Sequence, residues 1–428
     1  MSTRFKILLG RFLTRSGDQA WDFAVPLTLL KIFPDQIRIA AAYFLIVKLL
    51  HVMIMPRLGS LIDQRSRIQI AYTGISMQLL GVLGGTVALF FINAASGSQN
   101  SLNNEIILFL ALGFSGLICS LGSSLMNISI GNDLVPSAIP AEEMTQFNSR
   151  MRQLDLFTEV LSPVLAGLLL TIVYPAISLF GFYLIAIWNV ASFLPELIIL
   201  RSIFKDHPEL LKKKTSANPN QETSIIFKLR KGWASFFRQP TAPAMAAYAL
   251  LWLSVLSPHG VLLTGFLKDG WKMPEIVIGT FRGLGALFGL ISTFLFPLVI
   301  SKLGLVKGSK AFILFQTLML TFALGFFWIP SAISEYGFLF FILLSRIGLY
   351  GFSLGEMQIR QLGIAEYERG EVNGFADSLT GIATLALYGF GTLLPSTSQF
   401  NILIIGSVGF VCLGAIVFSL WKPKINFS

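Results

Sequence analysis

The chain consists of apolar stretches, each roughly 20 residues long, separated by polar segments that are mostly short. At 1.5 Å of rise per residue, a helix of that length crosses a hydrocarbon core about 30 Å thick. The predicted membrane-spanning helices are 7–33, 38–62, 68–93, 104–131, 144–172, 174–200, 241–266, 273–301, 308–329, 335–360, 371–393 and 399–421. The pattern therefore predicts an all-α polytopic membrane protein with about twelve transmembrane helices.

The composition agrees with this class of protein. Hydrophobic residues make up 54% of the 428 residues and charged residues only 13%, against roughly 25% in soluble domains. Two cysteines, Cys119 and Cys412, lie in separate apolar spans, so neither a disulfide nor a cysteine metal motif is expected. Arg11 and Arg15 interrupt the first apolar stretch, and we expect that stretch to remain as an anchor rather than act as a signal peptide.

The formal net charge of +10 would suit a nucleic-acid partner, but the positions of the basic residues indicate topology instead. The basic residues at one set of helix ends are Arg4, Lys6, Arg65, Arg67, Lys302, Lys307, Lys310, Arg360, Arg369, Lys422 and Lys424, and those of the central loop are Lys212, Lys213, Lys214, Lys228, Arg230, Lys231 and Arg238. Loops of the opposite parity, 94–103, 330–334 and 394–398, contain no Lys or Arg. By the positive-inside rule, both termini and the central loop are expected in the cytoplasm, with no nucleic-acid partner.

A single long polar segment, 202–240, divides the predicted helices into two groups of six. It includes "KKKTSANPNQETS", which lacks the apolar residues needed to pack against a core. The predicted domains are an N-terminal lobe at 1–201, a cytoplasmic linker at 202–240 and a C-terminal lobe at 241–428. Two six-helix lobes joined by a cytoplasmic loop match the major facilitator superfamily fold, in which substrate binds near the midplane and the halves alternate in access.

The loop after the second span, "GSLIDQRSR" at 59–67, resembles the major facilitator signature between helices two and three. Its glycine allows close helix approach, and its acidic and basic residues can pair across the cytoplasmic mouth. The corresponding loop of the second half, "SKLGLVKGSK" at 301–310, lacks the acid. Candidate gating residues are Asp63, Arg65, Arg67, Asp133, Glu142, Glu143, Arg150, Arg152, Glu368 and Arg369. The alternative is that the basic residues of these inner loops only set topology.

The first span contains the polar run "TRSGDQAWDF" at 14–23. A carboxylate at mid-membrane costs about 2.5–3.5 kcal/mol on insertion scales, so such residues need a partner or a function. Thr14, Asp18 and Asp22 recur every four residues and share one helical face. One interpretation is a cation site at Asp18; the other is an internal ion pair of Arg11 or Arg15 with Asp22.

The sixth span carries a second polar stripe, in "WNVASFLPE" at 188–196. Asn189, Ser192, Phe193 and Glu196 follow i, i+3, i+4, i+7 spacing, which places them on one face of a helix. Asp155 in the fifth span and Gln78 in the third add further oxygen donors. Carboxylate, amide and hydroxyl oxygens suit a divalent cation, although Asn189 and Ser192 could instead form only hydrogen bonds between helices.

Several motifs together resemble the ferroportins, which are iron exporters of the major facilitator superfamily, and their bacterial members in particular. The motifs are "SGDQAWDFAV" (16–25), "LIDQRSRIQIA" (61–71), "NSRMRQLDLFTEVLSP" (148–163), "WNVASF" (188–193), "GWASFFRQP" (232–240), "SRIGLY" (345–350) and "ERGEVNGFADSL" (368–379). They run from the first predicted helix to the eleventh. The resemblance implies a monomeric, multi-pass protein of the bacterial inner membrane with no bound cofactor.

The resemblance also implies ligands. The implied metal site comprises Asp18, Asp155, Asn189, Ser192 and Phe193, and Thr14 joins it as a neighbour on the same helical face as Asp18. The implied regulatory Ca²⁺ site comprises Asp18, Gln78, Asn189 and Glu196. The transported ion would be Fe²⁺, with Co²⁺, Mn²⁺, Ni²⁺ and Zn²⁺ as further candidates. Proton coupling would follow if a metal-binding carboxylate or histidine must first lose its proton.

The second half departs from the vertebrate ferroportin pattern. The segment "SVLSPHGVLLTGF" (254–266) has no cysteine, and "TLALYGF" (384–390) has Leu387 near the place of the vertebrate histidine. A hepcidin-type hormone is therefore not expected as a partner. His259 lies between Pro258 and Gly260, where the helix is expected to unwind, so it is a candidate metal ligand or a structural residue. His51 and His207 are not expected to bind metal, since His51 falls in a helix middle with no evident partner and His207 in the polar loop.

These observations together predict a divalent transition-metal exporter that works by alternating access. The rival transporter hypothesis is an exporter of a drug or organic metabolite, whose cavity would use aromatic residues such as Trp188 and Phe193. An enzyme is not expected, because a membrane-embedded metallohydrolase would need a motif such as HExxH and the sequence has none.

Overall fold

A computed structural model describes most of the chain, namely residues 2–33, 37–95, 102–172, 174, 177–211, 233–234, 236–258, 260–393 and 399–423. The candidate ligand His259, most of the predicted linker and the loop 394–398 that informed the topology lie outside these residues. Within the described ranges the chain is almost entirely helical, and an isolated bridge joins Tyr174 and Ile177.

The α-helices, numbered in chain order, are α1 Thr3–Ile32, α2 Ile37–Gln64, α3 Arg67–Ala95, α4 Leu102–Asn127, α5 Val135–Ala138, α6 Ala141–Leu170, α7 Phe180–Asp206, α8 Ala242–Leu251, α9 Val261–Gly265, α10 Glu275–Leu303, α11 Leu305–Phe327, α12 Ala332–Gly363, α13 Arg369–Leu393 and α14 Phe400–Leu420. Two π-helical turns, Ile128–Leu134 and Phe266–Gly270, extend α4 and α9, and two 3₁₀ turns cover Pro208–Leu211 and Glu366–Glu368. Each predicted span overlaps helical structure.

Nine helices in the described part of the chain are long and apolar enough to cross a membrane by length and composition. Three further predicted spans differ from these nine for physical reasons. The helix α1 carries charged side chains in its middle, and the span 241–266 is interrupted between Leu251 and Val261. The helix α13 opens with the polar sequence "RGEVNGFADS". The structure is therefore that of an all-α polytopic membrane protein.

The chain forms two compact units. The first comprises Met1–Ile139, Phe157–Gly232 and Glu366–Ser378. In it, α1 packs along α7, while α3 and α2 pack on α4. The contact of α3 with α4 depends on small residues: a Cβ on Gly81 would lie 2.6 Å from the backbone nitrogen of Cys119. Such close backbone approach is the usual way for helices to gain contact in a membrane.

The second unit comprises Pro140–Leu156, Trp233–Ala365 and Leu379–Ser428. Here α11 packs on α12, and α8 packs on α14. An aromatic cluster supports this unit, with the rings of Phe266 and Phe400 stacked at 4.3 Å between centroids. The first half of α6 joins α12 through an amide pair, in which Asn148 Nδ2 donates to Gln361 Oε1 at 2.6 Å.

One sequence within the second unit has the letters of a hydrolase motif. The pentapeptide "GFSLG" at 351–355 matches G-x-S-x-G, which in hydrolases places its serine on a sharp turn between a strand and a helix. Here the pentapeptide lies in the interior of α12, and Ser353 Oγ donates to the hydroxyl of Tyr248 at 3.2 Å. The structural context of a catalytic serine is therefore missing at this motif.

The glycine contact between α3 and α4 yields a testable prediction. We expect Gly81→Ala to lower stability by about 1–3 kcal/mol, because the added methyl group overpacks the interface. The matched control is Gly325→Ala in α11, where an added Cβ would meet nothing within 4 Å. Thermal unfolding of the detergent-solubilised protein should separate the two variants, and equal melting temperatures would contradict the packing account.

Candidate cation site

The helices α1, α3 and α4 converge on the carboxylate of Asp18. This side chain is only 6% exposed. Gln78 Nε2 donates to its two oxygens at 3.1 and 3.3 Å, and the hydroxyl of Ser123 donates to Oδ2. The carboxylate thus has a neutral, hydrogen-bonding environment on two sides, and its position is fixed by residues of two other helices.

The polar stripe of α7 lies against α1 at the same level. Asn189 Nδ2 donates to the carbonyl oxygen of Gly17 at 2.9 Å, and Ser192 Oγ donates to the carbonyl oxygen of Asn189 at 2.7 Å. Gly17 makes this approach possible, because a Cβ there would lie 3.1 Å from Asn189 Oδ1. Of the hydrogen bonds between helices that the sequence left as an alternative, the one from Asn189 exists and uses only its amide NH₂, whereas the hydroxyl of Ser192 bonds within its own helix.

Several buried oxygen acceptors around Asp18 remain without a hydrogen-bond donor. They are Gln78 Oε1, Asn189 Oδ1 and both carboxyl oxygens of Glu196. Thr14 approaches Glu196, but its hydroxyl donates to the carbonyl oxygen of Gly10 at 3.1 Å. A buried acceptor left unsatisfied costs about 1–3 kcal/mol. Unsatisfied oxygens from two helices, α3 and α7, beside a buried carboxylate of α1 fit the ligand set of a divalent cation.

A small cleft gives access to this cluster. It is lined by Arg11, Thr14, Arg15, Asp18, Ser123, Met126, Asn127 and Ile130. Arg11 donates to Asn127 Oδ1 at 3.0 Å, so this arginine has a partner on α4. Asp22, one turn beyond Asp18, is exposed. The two aspartates of the first span therefore have different surroundings, and only Asp18 belongs to the buried oxygen cluster.

The remaining predicted ligands lie in different places. Phe193 and Ser192 are buried on the stripe of α7, within the first unit. Asp155 is 5% exposed and lies in the part of α6 that belongs to the second unit. Among the described residues, no group of three His, Cys, Asp or Glu side chains is placed to hold a metal. A metal site built from the described residues would therefore rely on amide and hydroxyl oxygens beside its carboxylate.

A second polar network surrounds Arg67 at the start of α3. Arg67 and Asp133 are both buried and pair at 2.9 Å, and Glu366 lies 2.6 Å from the same guanidinium. Arg67 also donates to Ser137 Oγ at 2.8 Å and to the carbonyl oxygen of Leu210 at 2.7 Å. The guanidinium thus connects the ends of α3 and α4 with the turn before α13 and the start of the linker.

The acid of the loop motif, Asp63, caps the N-terminus of α13. Its two carboxyl oxygens accept hydrogen bonds from the backbone nitrogens of Gly370 at 2.7 Å and Glu371 at 2.6 Å. A carboxylate at this position satisfies free backbone donors and complements the helix dipole. In the same region Arg369 donates to Ser137 at 3.3 Å, while Arg65 is exposed.

Two other predicted gating residues have the following places. Glu368 ends the 3₁₀ turn before α13, in the first unit. Arg152 belongs to the second unit, where its guanidinium lies 4.7 Å from the ring centre of Tyr350.

Sequence reasoning missed several residues of these networks. Ser123 and Ser137 have no pattern of their own, and Glu366 is one of several acids near α13. The expectation that His51 has no partner was wrong, because its imidazole contacts Asp377 and Ser120 at 3.0 Å each. The partner on α13 is 326 positions away in sequence, and no local signal indicates it.

Membrane-spanning helices that enclose a buried carboxylate and several unsatisfied oxygen acceptors are typical of a membrane transporter. The family model described as Ferroportin1 (FPN1) matches residues 2–411. The chain therefore belongs to the ferroportin family.

Individual relatives agree with this assignment. Ferreportin of Bdellovibrio bacteriovorus is 45% identical over 422 residues, which cover 98% of this chain and 94% of the relative. A crystal structure of a bacterial homologue of the iron transporter ferroportin in the outward-facing state matches with a TM-score of 0.90 and 44% identity, covering 98% of this chain and 99% of that one. Such a homologue has also been crystallised with soaked iron and in the inward-facing state, with TM-scores of 0.90 and 0.67.

A more distant likeness shows the fold. The fucose:proton symporter FucP of E. coli matches with a TM-score of 0.65 at 13% identity, covering 98% of each chain. FucP is a major facilitator superfamily transporter. The chain thus has the major facilitator fold that its two groups of spans predict.

Proposed function

We propose that this protein exports divalent transition metal, Fe²⁺ first, by alternating access, with Asp18 and Asn189 as principal ligands or ligand-orienting groups. The observation that carries the proposal is the cluster of buried, unsatisfied oxygen acceptors beside Asp18. Membership of the ferroportin family supports it, as does the homologue crystallised with soaked iron. Co²⁺, Mn²⁺, Ni²⁺ and Zn²⁺ accept similar ligands and are further candidate substrates.

Each residue of the proposed metal site would supply a different part of the ligand set. Asp18 supplies the negative charge, and the free Oδ1 of Asn189 supplies a neutral oxygen. Thr14 and Ser192 can turn their hydroxyls from backbone carbonyls towards the ion, while Phe193 closes the apolar side. Asp155, which lies in the second unit, and His259, which lies outside the described residues, stay predicted ligands of the transported metal. A metal arriving at a carboxylate or an imidazole displaces a proton, so the proposal includes proton coupling.

The same cluster supports a regulatory Ca²⁺ site. Its proposed ligands are Asp18, Gln78, Asn189 and Glu196, and three of these four side chains have an acceptor without a donor. Ca²⁺ prefers a set of six to eight oxygens that includes carboxylates and amides. Because Asp18 and Asn189 belong to both proposed sets, Ca²⁺ occupancy would fix the geometry that the transported metal meets.

Gating would use the polar network around Arg67. The buried pair of Arg67 with Asp133 and its contact with Glu366 hold the start of α13 to α3. Asp63 adds a cap on the same helix. We propose that opening the cytoplasmic mouth breaks these contacts, with Arg65, Arg152, Glu368 and Arg369 as further participants. The proposal places both termini in the cytoplasm of a cell whose inner membrane holds the protein as a monomer, without hormone control.

Transport assays test the proposed metal site directly. We expect Asp18→Ala and Asn189→Ala to reduce the initial rate of Co²⁺ or Fe²⁺ entry into dye-loaded proteoliposomes at least about tenfold, which corresponds to a lost interaction of roughly 1.4 kcal/mol. Asp206→Ala is the control, because this aspartate lies at the end of α7 and pairs with Lys6. Native rates in all three variants would contradict the site, and efflux of an organic cation with no metal flux would favour the rival exporter.

The Ca²⁺ site yields a separate prediction. At a Ca²⁺ concentration of 100 times the dissociation constant of the site, we expect the native protein to be more stable by about 2.7 kcal/mol, because only the folded state contains the site. Glu196→Gln keeps the volume but removes one negative charge, and it should abolish most of the Ca²⁺-dependent rise in melting temperature. The control is Glu209→Gln, which alters an exposed carboxylate beside His207. An equal Ca²⁺ response in both variants would rule out Glu196 as a ligand.

A further inference from the structure

His51 on α2 is a buried histidine that no part of the proposed site uses. Its side chain is almost inaccessible, with 5% of the residue exposed. Its Nε2 lies 3.0 Å from Asp377 Oδ2 on α13, and its Nδ1 lies 3.0 Å from Ser120 Oγ on α4. Ser124 Oγ is 3.5 Å from Nε2. The imidazole therefore connects three helices of the first unit.

The surroundings of His51 accept both protonation states of an imidazole. An ionised carboxylate only accepts, so Nε2 carries a proton towards Asp377. In the neutral ring, Nδ1 is then an acceptor, and the hydroxyl of Ser120 donates to it. When Nδ1 gains a proton, the same hydroxyl can rotate and accept. No atom needs to move far, and the side chain of Asp377 is 38% exposed.

The pair stands at one end of a seam between α2 and α13. At the other end Asp63 caps α13, and between them the glycines Gly59 and Gly374 bring the two backbones together. A Cβ on Gly374 would lie 3.2 Å from the Cα of Gly59. Cap, glycine contact and imidazole pair thus follow one face of α2. Of these three, only the imidazole pair contains a histidine, the side-chain type that most often serves as a pH switch.

The helix α4 links this pair to the cation site. Its segment "SLGSS" (120–124) presents Ser120 and Ser124 to His51 and Ser123 to Asp18. A rotation or shift of α4 that alters the contact of Ser123 with Asp18 would therefore also alter the contacts of Ser120 and Ser124 with His51. This contiguity is the physical basis for coupling between proton and metal.

The charged and polar groups around His51 come from α2 itself and from three other helices. Asp377 faces it from α13, and the hydroxyls of Ser120 and Ser124 face it from α4. Lys48, one turn earlier on α2, interacts electrostatically with both Asp377 and Asp22 of α1.

We infer that the His51–Asp377 pair is a proton-binding site that holds the start of α13 to α2, and that α4 couples it to the cation site at Asp18. The ionised carboxylate of Asp377 already makes this hydrogen bond charge-assisted, and protonation of the ring adds the opposite charge on the donor, so that the contact becomes an ion pair. The seam is then tighter in acid and looser after proton release. The role of this pair in transport rests on the proposed function, whereas the existence of the proton site does not depend on it.

The first test is the pH dependence of metal flux, with equal pH on both sides of the proteoliposomes. We expect native Co²⁺ flux to fall at least about threefold from pH 7.5 to pH 5.5, because protonated His51 tightens the seam. In His51→Gln, which keeps a donor and an acceptor but does not titrate, the ratio should shrink to less than half of the native value. His207→Gln is the matched control: this histidine also pairs with a carboxylate, Glu209, but is 42% exposed at the end of α7. A His51→Gln ratio equal to the native one would overturn the inference.

The second test does not depend on transport. The chain has three histidines, so histidine-selective ¹³C and ¹⁵N labelling gives a spectrum in which His51→Gln identifies one imidazole. We expect that signal to change with pH, because the pair binds a proton, and we expect this pH response to change when Ca²⁺, which binds oxygen ligands, is added. In Asp18→Ala the titration should persist while the Ca²⁺ response disappears. A signal that does not titrate overturns the proton site, and a titration unaffected by Ca²⁺ overturns its coupling. If the native protein transports no metal, the proposed function fails, and this titration alone tests whether the His51–Asp377 pair binds a proton.

Discussion

The structure depends on one constraint, which is that a charge inside a hydrocarbon layer must be compensated. A single unpaired carboxylate there costs several kcal/mol. The chain places Asp18 in the middle of α1 and surrounds it with amide and hydroxyl donors from α3 and α4. The nearby acceptors of Asn189 and Glu196 remain unsatisfied. The buried charge and the unsatisfied acceptors both lower the stability of the folded protein. A bound cation would compensate both.

The same constraint explains the arrangement of small residues. Polar side chains can meet between helices only where the backbones come close, and a glycine allows this approach. Gly17 admits the stripe of α7 to α1, and Gly59 and Gly374 bring α2 and α13 together. In each case the glycine lies beside a polar contact that matters for the proposed mechanism. These three glycines therefore allow the helices to pack closely and also place the polar side chains beside one another.

Features that depend on neighbouring residues in the sequence could be predicted, whereas features that depend on contacts between distant residues could not. The stripe of Asn189, Ser192 and Glu196 could be predicted, because helical periodicity is local and α7 is a regular helix. The interruption of the span 241–266 could be predicted from Pro258 and Gly260. Ser123, Glu366 and the pairing of His51 with Asp377 could not, since each is selected by tertiary contact between helices distant in sequence. Serine in an apolar helix has no periodic signal that separates a ligand-orienting hydroxyl from one bonded to its own backbone.

The central claim is that the oxygen cluster on α1, α3 and α7 binds a divalent cation. Anomalous X-ray scattering from crystals soaked in Co²⁺ tests it most directly, because the absorption edge identifies the metal and the peak gives its position. The account predicts a peak within coordination distance of Asp18 and of Asn189 Oδ1. A well-occupied peak elsewhere in the molecule, with none at Asp18, would contradict it.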